Sequence, residues 1–335
     1  MNTRVVKNGL IIISPFLVGW LSLFLGAYNL SPLIVLKALG NEIWPFWGPV
    51  GPEQRAIIMD IRLPRIILAG LVGIALSGSG VTLQGIFRNP LIDPFILGIS
   101  AGAALGCALS VGFLPHWPIQ ITAFIFGLAA VVMAYLVARM QGQVSRLSLV
   151  LSGVITSTFF TAMLSIVKFL VDPNKLQSIV FWLMGSFSLS DWARVRVAGV
   201  GIIVGIIPVV LMRWRLNAMS MGEDEAKALG VNVARDRIIF IGASSLSVSM
   251  AVSVSGIVGW VGLMVPHMIR MITGPDHRSL VPLSMAGGAA FMILADTIAR
   301  NLTQFDIPVG IITALTGAPF FVYLMKKSGG EAWGR

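Results

Sequence analysis

Arg62-Leu-Pro-Arg65 stands at the head of a long apolar run, with two guanidinium groups bracketing a proline that fixes the backbone between them. Guanidinium forks bind carboxylates in pairs of parallel hydrogen bonds, so such a pair suits recognition of an acidic soluble partner. The simpler use is snorkelling, in which an arginine anchors the end of a membrane helix. Arg300 closes another apolar run on the same side, and Asp296 one turn earlier predicts an i,i+4 ion pair with it. The two uses are compatible, because one carboxylate can orient an arginine that binds another.

At the far end of the first of these runs lies Phe87-Arg-Asn-Pro-Leu-Ile-Asp-Pro94, polar and twice broken by proline. Irregular backbone between spans is costly in lipid and needs a reason. A third segment, 215–237, is the longest polar stretch on that side. Gly222 followed by Glu223-Asp224-Glu225 reads as a helix start with acids at the positive end of the dipole, and Gly230 reads as its stop. The expectation is a short amphipathic helix standing out as a knob. Ser152, Gly153, Thr156, Ser157, Thr158 and Thr161 make one run rich in hydroxyls. Most should bond back to their own helix, and a few, Ser152 and Thr156 first, would line a wet pathway. Gly98, Gly102 and Gly106 recur at spacing four and predict a flat face for close helix packing. His267, next to Pro266, shares no ligand spacing with His116 or His277.

Other chemistry is missing from the sequence. It has no G-x-x-x-x-G-K-[ST] phosphate loop, no H-E-x-x-H and no carboxylate pair at a span centre. No catalytic or metal-binding set is expected, and any energy for pumping must come from a partner.

The elements that position these residues are membrane spans. The chain is 56% hydrophobic and 11% charged, with a mean hydropathy of +0.88, whereas a soluble domain is about a quarter charged. Apolar runs place spans near 10–30, 64–86, 95–113, 119–138, 147–170, 196–213, 238–257, 260–273, 280–299 and 308–325. The first is too long for a signal h-region and lacks an A-x-A site, so it reads as a retained span. The connection 31–61, with Trp44 and Trp47, suits an interfacial loop or short helix. With the N-terminus inside, fifteen of the 24 Lys and Arg residues face inward and nine outward, which favours both termini in the cytoplasm. The charge of +10 is split between two faces, against a nucleic-acid partner and in favour of anionic lipid for the inner set. The single cysteine, Cys107, excludes an intrachain disulfide.

In this order, Arg62-Leu-Pro-Arg65, Gln84-Gly-Ile-Phe-Arg-Asn-Pro-Leu-Ile-Asp-Pro94, Leu97-Gly-Ile-Ser-Ala-Gly102, Trp182-Leu-Met-Gly-Ser186, Glu225-Ala-Lys-Ala-Leu-Gly230, Gly262-Leu-Met-Val-Pro-His267, Asp276-His-Arg278, Asp296 with Arg300, and Pro308-Val-Gly310 through Gly317-Ala-Pro319 form a specific signature. The chain resembles the permease subunits of the iron-siderophore, haem and vitamin B12 ABC importers. The resemblance implies one all-α polytopic domain over 1–335, with ten spans and an inverted repeat of spans 2–5 and 7–10. It implies a homodimer in a bacterial or archaeal cytoplasmic (inner) membrane. Two ATP-binding cassette subunits, which carry the ATP and Mg, and a substrate-binding protein would complete it; no cofactor is implied in this chain. Arg62, Arg65 and Arg300 would contact acids on the binding protein. Glu225, Ala226, Leu229 and Gly230 would form the coupling helix that enters the ATPase, within the 215–237 loop. Asn89, Leu91, Ser145 and Arg146 would lie at the inner gate. Ferric siderophore is the first expected cargo and haem or cobalamin the next. The alternatives are an oxyanion such as molybdate, or an ion-coupled secondary transporter.

Overall fold

The computed structural model describes residues 3–26, 28–44, 47–140, 144–303 and 305–327; Arg335, counted above among the inner basic residues, lies outside them. Helices occur in the order α1 Thr3–Phe24, α2 Pro32–Ile43, α3 Pro52–Ala56, α4 Leu63–Phe87, α5 Ile99–Phe113, α6 Ile119–Arg139, α7 Arg146–Leu170, α8 Pro173–Leu183, α9 Trp192–Met221, α10 Glu223–Ala228, α11 Val233–Ser255, α12 Val261–Thr273, α13 His277–Ala299 and α14 Val309–Lys327. A π-helical turn, Ile57–Arg62, joins α3 to α4, so that Pro52–Phe87 runs as one 36-residue helix. A 3-10 turn, Pro94–Leu97, precedes α5.

Local chemistry explains the boundaries. Ser31, Asp93, Ser145, Asp172, Asp191, Asn232 and Asp276 each accept a backbone N–H at a helix start. Prolines at the first turn of α2, α3 and α8 cost no hydrogen bond there. Among the described residues eight helices are long and apolar enough to cross a membrane, and α5 and α12 are shorter apolar helices; together they match the ten expected spans. The first span lies at Thr3–Phe24 rather than 10–30, because the polar ends of an apolar run can wind into the helix. Likewise α9 extends through Met221, well past the expected end at 213.

The inverted repeat is visible in the packing. Spans α4–α7 correspond to α11–α14, and the second member of each set, α5 or α12, is the short one. The packing is reciprocal: α4 lies on α12 and α13, while α11 lies on α5 and α6. Helix α4 is buried around almost its whole circumference and forms the core. Close approach there depends on glycine: a Cβ on Gly73 would sit 2.1 Å from the Gly288 carbonyl oxygen of α13. The expected flat face of α5 also meets its partner, since Cβ atoms on Gly102 and Gly106 would fall 2.3 Å and 2.4 Å from carbonyl oxygens of α6.

Candidate functional site

Charged and polar residues gather at the two ends of α4, about 37 Å apart by helical rise. At the Arg62 end, the sequence predicts arginines that face outward. Instead Arg62, Arg65 and Arg300 are only 3%, 7% and 7% exposed. Arg65 grips Asp296 of α13 from Nε (3.0 Å to each carboxylate oxygen) and from Nη2 (2.8 Å), and reaches Asp306 with Nη1 at 2.7 Å. Asp296 is buried, while Asp306 is half-exposed. The expected pair between Arg300 and Asp296 is therefore corrected: the carboxylate belongs to Arg65, and Arg300 turns to Ser22, donating to its carbonyl at 2.6 Å and to its hydroxyl. Arg62 donates to the carbonyl oxygens of Leu23 (2.6 Å) and Tyr28.

These bonds have a common cause. Helix α1 has no basic residue in its last turn. Its final carbonyls lack partners within the helix and carry the negative end of the dipole. Arg62 and Arg300 supply the missing donors from other parts of the chain, so they cap α1. The π-helical turn ends at Arg62 and sets its direction.

At the other end, Arg88 adopts the left-handed conformation that terminates α4 (φ 51°), and its Nε donates to the Met219 carbonyl of α9 at 2.9 Å. Asn89 turns its side-chain oxygen onto the Leu91 N–H (2.9 Å), and Leu91 is exposed. Ser145 caps α7 through a reciprocal pair of bonds with Ser148. Arg146 lies 3.7 Å from Glu223. Asp93, in the turn between spans, accepts the Phe95 N–H at 2.8 Å; burial pushes its carboxyl up to about 6, against the lowering effect of that bond.

The polar segment is less of a loop than expected, since 215–221 complete α9 and 233–237 begin α11. Between them α10 starts at Glu223 as the acids predict. Its stop is a paired backbone cap: the Gly230 N–H bonds to Lys227 (2.9 Å) and the Val231 N–H to Ala226 (2.9 Å), with Gly230 at φ +77°. The four residues named for this helix divide. Ala226 is buried and Glu225 folds back over Gly222, whereas Leu229 is exposed. The Asp224 side chain is 95% exposed. Glu223 ties the base of the knob to the buried Arg237, which also donates to the Val144 carbonyl at 2.7 Å. This clamp was not anticipated. Its one sequence signal was an acid within a basic segment.

Ser152 and Thr156, the first residues expected on a pathway, lie inside the chain. Ser152 bonds back to Leu149 (2.9 Å). Helix α7 turns that side onto the Pro94–Leu97 turn, where a Cβ on Gly153 would sit 2.1 Å from the Ile96 carbonyl oxygen. Its exposed face carries Ile155, Phe159, Met163 and Ile166. The same face exposes Thr158, Thr161 and Ser165, with the Thr158 and Ser165 hydroxyls bonded back to the carbonyls of Val154 and Thr161.

An all-helical bundle of ten apolar spans, arranged as an inverted repeat with polar apparatus at both ends of its central helix, defines a polytopic membrane permease. The chain belongs to the FecCD transport family, whose sequence model matches residues 12–327. It is accordingly an ABC transporter permease and not an enzyme. It is 46% identical over 274 residues to an iron chelatin transport system permease of Helicobacter pylori, covering 82% of this chain and 83% of that one. It is 40% identical over 316 residues to the molybdate import permease MolB of Haemophilus influenzae, covering 92% and 93%. A solved structure described as an inward-facing metal-chelate type ABC transporter superposes with a TM-score of 0.85 at 37% identity, covering 98% of this chain and all of that one.

Proposed function

We propose that the chain is the membrane subunit of an ATP-driven importer of a metal chelate, with ferric siderophore as first cargo, in the cytoplasmic membrane with both termini inside. The observation that carries this reading is α10, an exposed knob with its acidic face and Leu229 outward and its base held by Glu223. Such a knob suits insertion into a partner ATPase, whose closure would then move it. Two copies of the chain would enclose the path, and the exposed face of α7 supplies a surface for the second copy. The gate would lie where Asn89, Leu91, Ser145 and Arg146 gather near the knob.

A binding protein would dock at the Arg62 end. Arg62 and Arg300 hold the helix ends there, and Arg65 offers the exchangeable bond, because its half-exposed partner Asp306 can yield to a carboxylate from outside. The named relatives support two cargoes: an iron chelate by the first likeness, and an oxyanion such as molybdate by the second. Family membership leaves no place for the ion-coupled alternative.

The test is reconstitution with the ATPase and binding protein encoded beside the chain. Leu229→Cys should cross-link to the ATPase, and uptake of ferric siderophore should exceed that of molybdate. No cross-link would remove the coupling role, and molybdate uptake alone would reassign the cargo. Asp306→Ala should tighten docking of the binding protein; weaker docking would contradict the exchange at Arg65.

A further inference from the structure

Where α9 meets the start of α13, a cleft of about 420 Å³ opens at the surface, walled by Val210, Leu211, Arg213, Trp214 and Arg278. It terminates an exposed aliphatic stripe on α9 formed by Val200, Ile203, Val204, Ile207 and Leu211. The spacing puts these side chains on one helix face, which a membrane helix turns to lipid. Arg213 and Trp214 follow at once, which sets the cleft at headgroup level, where tryptophan and arginine collect.

Neither arginine of the cleft holds a carboxylate in a close ion pair, and Asp276 lies near enough to Arg278 only for a longer-range attraction. Among the described residues no carboxylate lies within ion-pair distance of either. Arg213 donates only to the Val210 carbonyl of its own helix, at 3.0 Å. Neighbouring Arg215 is spoken for, since it pairs with Asp236 at 2.8 Å and lies over the Trp214 ring. The nearby acid, Asp276, accepts the Asn217 amide at 2.7 Å and the Arg278 backbone N–H at 2.9 Å.

We propose that this cleft binds an anionic phospholipid, with its phosphate between the guanidinium groups of Arg213 and Arg278 and an acyl chain along the α9 stripe. Two unpaired guanidiniums suit one phosphodiester. The stripe favours a lipid over free phosphate, which would leave it unused. The lipid would bridge α9 and α13 beside an existing joint, where Asn217 accepts the His277 N–H at 2.8 Å. Because α9 leads directly into α10, bound lipid would steady the base of the knob. The site does not depend on which cargo or partner the permease serves.

The experiment uses the purified full-length permease in detergent, supplemented with phosphatidylglycerol or with phosphatidylcholine of the same chains. Phosphatidylglycerol should raise the melting temperature more than phosphatidylcholine, by linkage. Native mass spectrometry should show retained phosphatidylglycerol. In Arg213→Gln/Arg278→Gln the extra shift and one retained lipid per chain should be lost. A variant with equal charge loss elsewhere, Arg139→Gln/Arg235→Gln, should keep both. Equal shifts with the two lipids, a shift unchanged in the first double variant, or the same loss in the second would overturn the site. A full shift with soluble glycerol phosphate would also overturn it, in favour of a simple phosphate site. If the first double variant fails to fold, the Arg213→Gln single variant is read in its place, with half or more of the shift expected to go and no loss counting against the site.

Discussion

The two ends of α4 use arginine in opposite ways. At the Arg62 end the guanidiniums of Arg62, Arg65 and Arg300 are buried and bonded within the chain, to a carboxylate or to carbonyls at the end of α1. At the Glu223 end one half-exposed acid is shared, with the buried Arg237 and the part-exposed Arg146 both reaching Glu223, beside the Arg215 pair with the buried Asp236. Buried pairs with good geometry resist loss of a partner, whereas half-exposed ones exchange with water and other proteins at little cost. The first arrangement suits a fixed frame, the second a joint that must move.

The difference is tested most strongly by removing the acid from each end. Asp296→Ala would leave Arg65 buried with only the peripheral Asp306. A loss of about 3–5 kcal/mol is expected, as for other broken buried pairs. Thermal unfolding of the detergent-solubilised protein measures it, and a melting temperature within a degree of wild type would show that the frame is not held there. Gly230→Val comes next. A Cβ at that site meets nothing within 4 Å, so the penalty is purely conformational. A side chain at φ +77° should cost about 1–2 kcal/mol and fray α10 without unfolding the bundle. Faster amide exchange confined to 223–231, with uptake reduced, is the expected result; unchanged exchange would mean that the cap does not fix the helix.

The same contrast explains what the sequence made legible. The ends of α10 could be read from Glu223 to Gly230 because caps are local, and the α5 glycines announced close packing because small residues at spacing four leave room for nothing else. The fate of the arginines was not local. The i,i+4 spacing favoured Arg300 with Asp296, but Arg65 reaches that carboxylate from 231 residues away. Ser22 and Leu23 carry no sign in the sequence that their carbonyls wait for arginines. A carboxylate within a span does demand a partner, and that rule, applied to Asp296 across the whole chain, pointed to an arginine without saying which. The burial of Ser152 and Thr156 was hidden for a related reason: periodicity shows a face, not what packs on it.

Glu223→Gln sharpens the comparison at the moving end. Glu223 is half-exposed, so its loss should lower stability by less than about 1 kcal/mol. Function should suffer more. In the reconstituted transporter ATP hydrolysis should persist while uptake falls several-fold, because α10 would move without pulling α11 and the start of α7. A partial return of uptake in Glu223→Arg/Arg237→Glu would fix the pair as the link. Hydrolysis and uptake falling in proportion would make Glu223 a structural residue only.

A pH-dependent effect lies at Asp93, in the turn that follows α4. Its carboxyl is raised from 3.8 to about 6, so between those values the folded protein holds a proton that the unfolded chain has released. Stability must then fall as pH rises through that window and level off above it. Asp93→Asn keeps an oxygen for the Phe95 N–H but cannot ionise. Its melting temperature should match wild type near pH 4 and exceed it at pH 7. Parallel pH curves for the two proteins would show that this turn is as rigidly satisfied as the Arg62 end. Divergence above pH 4 would place it with the adjustable groups around Glu223, where a gate between two states needs small differences in free energy rather than large ones.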